Sequence, residues 1–291
     1  MTPSLVLCLT LLYPADEKPA PYPRPELLVE AADLEKGIPA QQGVHILDAR
    51  PKAQYNEGHI PDAVWVDTAA WAKAFADGQD ESEWAVRLAH AGVIPSKRIV
   101  IYDDNLSRDA ARIWYILHYW SIKDVRLLNG SWAAWKANKG KVEKEDPGVA
   151  VPMVVEVKKQ PARLTTKDDL LKLLKDKPPQ IIDARSTGEY CGTQETAKRN
   201  GSIPGAKHLE WSDTLDKKTG RFKSADELTK LFKDAGIDPA KPAVTYCQSG
   251  GRAAVLAFAL ELMGAKDVSN YYRSWAEWGN DPDTPIDKPK K

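Results

Sequence analysis

The sequence contains few cysteines, and their arrangement excludes two common kinds of cysteine-dependent structure. Only Cys8, Cys191 and Cys247 occur in 291 residues. Three cysteines cannot form a closed set of disulfide pairs, and no two of them have the short spacing of a metal-binding motif. We therefore expect at least one free thiol, and we expect neither a bound metal nor an organic cofactor.

The chain also lacks an excess of either charge, with 41 basic and 41 acidic residues. A neutral protein does not produce the one-signed field that attracts nucleic acid or an anionic membrane. Neither is expected as a partner. A small anionic ligand is still compatible with this composition, because a local pocket can be basic on a neutral protein.

Long hydrophobic runs are missing as well. Ser4 to Leu12 is an apolar run of nine residues, whereas a membrane-spanning helix needs about 20. The run has the length of a signal-peptide core and precedes a proline-rich polar stretch, although no Lys or Arg precedes it. We predict export to the periplasm or another extracytoplasmic compartment, with a cytoplasmic location as the alternative, and we expect a monomer.

What the chain does contain is one long internal repeat. The offset between matching segments is 135 residues at the first match and 143 at the later ones, which is too long for a solenoid and indicates a duplicated domain. The matches pair HILDAR at 45–50 with QIIDAR at 180–185, residues 109–125 with 252–268, and SWAAW at 131–135 with SWAEW at 274–278.

Each copy has the pattern of an α/β domain. Short apolar runs at 44–47, 99–102, 180–182 and 243–246 are typical of buried parallel strands. The second run of each copy leads through a polar loop into a segment with helical periodicity. Strands that alternate with helices predict, in each copy, a mostly parallel sheet flanked by helices on both faces.

The composition also predicts the domain boundaries. A proline-containing stretch between the copies is typical of a linker, and the charged, proline-rich C-terminus is typical of a surface tail. The predicted division is a leader and spacer at 1–24, a first domain at 25–145, a linker at 146–162, a second domain at 163–280 and a tail at 281–291.

The candidate site is the loop CQSGGR, in which the two copies differ. Cys247 follows a predicted strand, at the sheet edge where α/β proteins bind ligands. Gly250 and Gly251 allow the backbone N–H groups to turn inward as an anion-binding nest, and the following helix adds its N-terminal dipole. Both effects favour a thiolate, so Cys247 is the predicted nucleophile. The residues predicted to bind its ligand are Gln248, Ser249, Gly250, Gly251 and Arg252.

The other copy provides an internal comparison. Counting back by 143 residues from the shared KDV places Asp104 opposite Cys247, and that loop has no glycine. The first domain is therefore predicted to be catalytically silent. Arg252 has two predicted arrangements, either pointing outward as a charge or folding under the loop to bind its carbonyl groups.

Several other residues are candidates for the mouth of the site. Arg185 closes the strand beside the loop and is a candidate ligand for an anion, but it has a counterpart, Arg50, in the silent copy. A structural pairing with Asp183 is the alternative for Arg185. Arg199 is a weaker candidate ligand. Cys191 lacks the features of a reactive thiol, and His59 is predicted to satisfy backbone groups at a turn.

Together these segments resemble the tandem-domain rhodaneses, which include thiosulfate sulfurtransferases and 3-mercaptopyruvate sulfurtransferases. The similar segments are YNEGHIPDAVWV at 55–66, NGSIPGAKHLEW at 200–211, the loop CQSGGR at 247–252 and VRLLNGSWAAW at 125–135. The resemblance covers about residues 25–280. It implies two rhodanese-like domains, of which only the second is catalytic.

The resemblance also implies a reaction. Cys247 would take the outer sulfur of an anionic donor as a persulfide, and cyanide or a thiol would then accept it. Backbone N–H groups of 248–252 would hold the persulfide charge. Thiosulfate is the first candidate donor and 3-mercaptopyruvate the second. The loop itself does not choose between them, because QSGGR matches neither the basic loop typical of thiosulfate enzymes nor the GSGVT loop typical of mercaptopyruvate enzymes.

Three positions depart from the family pattern and are predicted to belong to the scaffold: Ser202, Tyr272 and Arg273. Two alternative functions remain open at this stage. One is a sulfur carrier that passes persulfide to a partner protein without turnover of small acceptors. The other is a phosphatase or arsenate reductase, although their Cys-to-Arg loops have five intervening residues where this one has four.

Overall fold

A computed structural model describes residues 20–37, 43–149, 155–176 and 178–290. The strands are β1 Leu28–Val29, β2 Val44–Asp48, β3 Val64–Trp65, β4 Arg98–Tyr102, β5 Val125–Leu128, β6 Gln180–Asp183, β7 Lys207–His208, β8 Ala243–Tyr246 and β9 Val268–Asn270. The helices are α1 Ala31–Gly37, α2 Lys52–Glu57, α3 Thr68–Asp77, α4 Glu81–His90, α5 Arg108–Tyr119, α6 Ser131–Ala137, α7 Lys167–Leu173, α8 Thr187–Tyr190, α9 Ala225–Asp234, α10 Gly251–Leu262 and α11 Ser274–Trp278. All four predicted strands are confirmed as β2, β4, β6 and β8.

Each half contains one parallel sheet. The first sheet has the order β1-β5-β4-β2-β3 and the second β7-β6-β8-β9, and every pair of neighbouring strands in them is parallel. In both sheets the strand that carries the repeated Asp-Ala-Arg pairs with the strand that precedes the candidate loop. The repeat therefore places the Asp-Ala-Arg segment and the loop side by side at the carboxyl edge of each sheet.

Helices cover both faces of each sheet, as the sequence pattern predicted. In the first half, Leu47 packs with the core beneath α3 to α5, whereas its neighbour Ile46 packs beneath α1 and α6. In the second half, Ile182 packs with α9 and α10, whereas Ile181 packs with α7 and α11. This alternation follows from the period of two along a strand, with both faces apolar because both are buried.

The two halves share one core. Helix α5 of the first half packs against α10 of the second, and the ring of Trp114 on α5 meets the edge of Phe258 on α10 with 4.9 Å between ring centroids. The hydroxyl of Tyr115, also on α5, accepts the N–H of Asn270 at 2.9 Å. Helix α5 therefore touches α10, which follows the candidate loop, and β9, which pairs with the strand before that loop.

Side-chain caps define where several helices begin. Ser224 and Glu227 form a reciprocal capping box at the start of α9, and Thr166 and Asp169 do so at α7. Such caps satisfy N–H groups that have no partner within the helix. Helix α10 begins differently, with Gly250 in the left-handed conformation and no side-chain cap, so its first N–H groups are left open.

The predicted leader lies mostly outside the described residues. Positions 1–19, including Cys8, are not described, so export stays a prediction. The predicted tail packs on the surface, because Ser202 and Asp287 form an isolated antiparallel bridge. The domain boundaries drawn from composition also stay predictions. Among the described residues, no helix combines the length and apolarity needed to cross a membrane.

Candidate active site

Cys247 lies directly after β8, where the start of α11 fixes the first two residues of the loop. The N–H of Cys247 donates to Ser274 Oγ at 3.1 Å. The carbonyl groups of Cys247 and Gln248 accept the N–H groups of Trp275 and Ala276, each at 3.0 Å. Cys247 is 1% exposed, so a reactant reaches its sulfur only through the opening of the loop.

Gly250 is required by both its backbone and its surroundings. Its φ is +82°, in the left-handed region, and a Cβ here would lie 2.6 Å from the ring of Tyr272. Its carbonyl oxygen accepts from Asn270 Nδ2 at 3.0 Å and from the N–H of Ala254 at 3.0 Å. The turn into α10 is thus held in one conformation.

This turn leaves a set of backbone N–H groups without acceptors. Within the described part of the chain, none of the N–H groups from Ser249 to Ala253 donates to a protein group. They surround the start of a 12-residue helix, whose dipole adds partial positive charge there. We call the N–H groups of residues 249–253 the loop cradle, which has the chemistry of an anion site.

Arg252 takes neither of the two arrangements predicted for it. Its Nη1 and Nη2 donate to Oε2 and Oε1 of Glu189 at 2.6 and 2.8 Å. Glu189 also accepts from the N–H and hydroxyl of Ser186 in a capping box at α8. Burial disfavours the charge of Arg252, but Glu189 and the neighbouring Cys247 outweigh it and raise its pKa. The pair fixes Arg252 beside the sulfur.

The equivalent loop in the first half contains its own anion. Asp103 follows β4, and its carboxylate accepts the N–H groups of Asn105, Ser107, Asp109 and Ala110 at 2.9–3.2 Å. The side chain is fully buried, and burial raises the pKa of Asp103 to about 6, although the hydrogen bonds oppose this. The first loop therefore shows that this fold can surround a negative group with backbone N–H groups.

Asp103 is the structural counterpart of Cys247, and the alignment with Asp104 was wrong. The N–H of Asp103 donates to Ser131 Oγ at 2.7 Å, as that of Cys247 does to Ser274. The offset is 144 residues at the strands and 143 at the helices, because the first loop has one residue more. Counting back from the helix by 143 residues therefore shifted the alignment of Cys247 by one position, from Asp103 to Asp104.

The buried carboxylate predicts a pH dependence of stability. An aspartate in an unfolded chain has a pKa near 3.9, so the folded state binds more protons than the unfolded state between about pH 4 and 6. The contribution of Asp103 to the free energy of unfolding therefore falls as the pH rises through this range, by about 3 kcal/mol in total. Urea unfolding of wild type and Asp103→Asn at pH 4, 5, 6 and 7 measures this. The free energy of unfolding of wild type, relative to that of the variant, should decrease as the pH rises and become constant above pH 6. A difference that is flat with pH would contradict the buried titration.

Arg185 is enclosed in the protein. It is 0% exposed, and its Nε and Nη2 donate to Asp183, with Nη2 to Oδ2 at 2.6 Å. Arg50 binds Asp48 in the same way in the first half. The matching pair in the first half favours a structural role for the pair of Arg185 and Asp183. Ligand binding by Arg185 stays a prediction. Only Nη1 is available for it, since this atom is buried and has no protein partner among the described residues.

Arg199 holds the C-terminal segment. Its Nη2 donates to the carbonyl oxygen of Trp278 at 3.0 Å and its Nη1 to that of Thr284 at 2.8 Å. These contacts are made to the C-terminal segment and not to the loop cradle residues, and they favour a structural role over the predicted ligand binding. His59 binds backbone oxygens of Tyr55 and Glu145, which confirms its predicted role at a turn.

The remaining predicted loop residues contact other segments of the chain. Gln248 Nε2 donates to the carbonyl oxygen of Thr196 at 3.0 Å, and Ser249 O accepts from Arg112 Nη1 at 2.8 Å. Arg112 belongs to α5 of the first half, and its Nη1 also donates to the hydroxyl of Tyr272 at 2.7 Å. Sequence reasoning missed Arg112 and Glu189, and it placed Tyr272 in the scaffold although its ring contacts Gly250.

The sequence matches a known domain family and several characterised relatives. The Rhodanese-like domain matches twice, at residues 30–138 and 166–281. A thiosulfate sulfurtransferase of Pseudomonas aeruginosa is 30% identical over 90% of this chain and 97% of its own length, and one of Corynebacterium glutamicum is 33% identical over 94% of each chain. A sulfur carrier protein of Thermus thermophilus is 32% identical over 92% of this chain and 98% of its own.

Solved structures show the same fold. An enzyme persulfide in a tetrahedral intermediate state with ergothioneine has a TM-score of 0.83 and 24% identity, covering 93% of this chain and 72% of that one. An anaerobic ergothioneine biosynthesis enzyme from Chlorobium limicola has a TM-score of 0.82 and 23% identity over the same shares. At this identity the likeness concerns the arrangement of the two domains.

Proposed function

The chain belongs to the rhodanese family of sulfurtransferases, and on that premise we propose that it transfers the outer sulfur of thiosulfate to cyanide or a thiol through a persulfide on Cys247. The observation that carries the proposal is the contrast between the two loops. In the first half, Asp103 supplies a fixed negative charge to the backbone N–H groups. In the second half, Cys247 stands at the same position and the N–H groups have no protein acceptor among the described residues.

The proposed chemistry follows from this contrast. The Cys247 thiolate attacks the outer sulfur of thiosulfate, the new S–S bond forms as the old one breaks, and sulfite leaves with the bonding pair. The persulfide anion is then held by the loop cradle, which is already oriented and needs no rearrangement. Cyanide attacks the terminal sulfur, so that thiocyanate leaves and the thiolate is restored.

No general base is needed for this reaction. A thiolate, not a thiol, is the nucleophile, and the helix start and the Arg252 guanidinium both lie beside Cys247, where they stabilise an anionic intermediate such as the persulfide. Each step begins and ends with one negative charge on the sulfur of the enzyme. The loop therefore has to stabilise an anion throughout the cycle, which a fixed set of N–H groups does well.

Thiosulfate is preferred to 3-mercaptopyruvate as the donor because relatives that match over most of their length are thiosulfate sulfurtransferases. We expect the kcat/KM for thiosulfate to exceed that for 3-mercaptopyruvate by about tenfold or more, a difference of about 1.4 kcal/mol in transition-state binding. The assay supplies each donor with cyanide and follows thiocyanate. A higher kcat/KM with mercaptopyruvate would reverse the assignment of the donor.

The same experiment separates the other functions. A sulfur carrier, as the Thermus thermophilus relative is named, would gain one sulfur atom in the intact mass and release it to neither cyanide nor small thiols. A phosphatase would release phosphate from an aryl phosphate without forming thiocyanate. Thiocyanate formation at many turnovers per enzyme, with the persulfide detected when cyanide is left out, is the result that we expect.

A further inference from the structure

Arg112 connects the silent domain to the active loop. It projects from α5, and its Nη1 donates to the carbonyl oxygen of Ser249 at 2.8 Å and to the hydroxyl of Tyr272 at 2.7 Å. Ser249 lies two residues after the nucleophile, and Tyr272 packs on Gly250. A side chain of the first domain is thus part of the wall of the second domain's site.

The guanidinium lies against the start of α10. A Cβ placed on Gly251 would be 2.4 Å from Nη2 of Arg112 and 2.9 Å from its Cζ. The absence of a side chain at Gly251 therefore leaves the space that the guanidinium occupies, beside the start of α10. Burial opposes the charge of Arg112, yet Tyr272 and the nearby Cys247 more than compensate and raise its pKa.

The charge of Arg112 has no carboxylate partner within the described residues, unlike its cationic neighbours. Arg252 pairs with Glu189, and Arg273 pairs with Glu277. Nε and Nη2 of Arg112 donate to no protein acceptor in the same part of the chain. A partly buried guanidinium with unused N–H groups has the geometry that binds oxyanions through two parallel hydrogen bonds.

An open depression leads to this guanidinium. It has a volume of about 510 Å³, and its lining includes Arg112, Ser249, Tyr272, Arg273 and Ala276. Ser249, which follows Cys247 by two residues, lines this depression, and Cys247 is near enough to act on the charge of Arg112. A donor with a negative group next to its reactive sulfur would therefore meet Arg112 close to the nucleophile.

We propose that Arg112 of the silent domain binds the anionic end of the sulfur donor, such as the sulfonate group of thiosulfate, while the loop cradle receives the transferred sulfur. This proposal rests on the proposed sulfur transfer. It assigns the first domain a direct part in choosing donors that carry an oxyanion beside the sulfur. It also explains how a loop with no basic residue at positions 248–251 attracts an anionic donor.

The test compares Cys247 alkylation by anionic iodoacetate and by neutral iodoacetamide, in wild type, Arg112→Gln and Arg112→Lys. Arg112→Gln should lower the ratio of the iodoacetate rate to the iodoacetamide rate by about tenfold, and Arg112→Lys by no more than about threefold. Arg112→Gln should also raise the KM for thiosulfate about tenfold with a smaller change in kcat. If Arg112 only clamps Ser249, both reagents will slow equally and the ratio will stay constant, which overturns the proposal.

Arg273→Gln is the matched control, because Arg273 lines the same depression but is paired with Glu277. Its ratio should change by less than about twofold, and an effect as large as that of Arg112→Gln would overturn the proposal. Should Arg112→Gln fail to fold, as judged by thermal melting, Arg112→Lys and wild type carry the test: the wild-type ratio should exceed that of free cysteine and fall with added salt. The ratio of the two alkylation rates requires no turnover, so it tests the role of Arg112 even if thiosulfate is not the donor. If the proposed function is wrong but the role of Arg112 is right, wild type will form no thiocyanate and the ratio will still differ between wild type and Arg112→Gln.

Discussion

Cys247→Ser is expected to abolish sulfur transfer, with thiocyanate formation reduced by roughly 1,000-fold or more. A serine hydroxyl keeps nearly the same volume in a site that is 1% exposed, so the fold should be retained. It does not ionise at neutral pH and cannot form a persulfide. The measurements are thiocyanate release and the intact mass after incubation with thiosulfate, in which wild type gains one sulfur atom and the variant gains none.

Cys191→Ser is the matched control for this experiment. Cys191 is a free, half-buried cysteine at the end of α8, and it lacks the glycines and the helix start that surround Cys247. Turnover and persulfide formation should both be unchanged. Turnover that survives in Cys247→Ser would exclude Cys247 as the nucleophile, and turnover that disappears in Cys191→Ser would assign that role to Cys191.

The second large effect is expected on stability, at the buried pair of Asp183 and Arg185. Both side chains are 0% exposed, and Asp183 accepts from Arg185 N, Nε and Nη2 and from the hydroxyl of Tyr246 at 2.6 Å. Asp183→Asn leaves the arginine charge buried without a counter-charge. Removing one partner of such a pair costs about 3–5 kcal/mol, which should appear as a lower free energy of unfolding in urea.

Asp48→Asn tests the same interaction in the first half. Asp48 accepts from Arg50 N and Nε at 2.9 and 3.0 Å and from Nη2 at 2.6 Å, so a loss of similar size is expected. Activity per folded molecule should persist in Asp48→Asn, because the other hydrogen-bond partners of Arg50, Gly58 and Tyr102, also belong to the first half. A loss below about 1 kcal/mol for either variant would show that the buried charges are compensated by other means.

The repeat made much of the fold predictable. Because two copies of one domain have to bury the same positions, the matching apolar runs located β2, β4, β6 and β8, and the shared helical pattern located α5 and α10. The loop was predictable for a similar reason, since a cysteine followed by two glycines between a strand and a helix has few structural explanations. These signals are local and depend on neighbouring residues in the sequence.

The parts of the site that were missed depend on contacts between distant segments. Glu189 pairs with Arg252 across 63 residues, and Arg112 reaches Ser249 across 137. Nothing in the sequence near either residue indicates its partner, because the contacts exist only when α8 and α5 lie beside the start of α10. The scaffold role of Tyr272 stays a prediction, and the contact of its hydroxyl with Arg112 of the other domain could not be foreseen for the same reason.

The extra residue in the first loop has a consequence for the ancestry of the chain. Between strand and helix, the first half has the five residues Asp103 to Ser107, whereas the second has the four from Cys247 to Gly250. A single codon change from aspartate to cysteine at position 103 would leave the nucleophile in a loop of the wrong length and without its glycines. Recovery of chemistry in that half would require a deletion together with substitutions, so the division of labour between the two copies is not easily reversed.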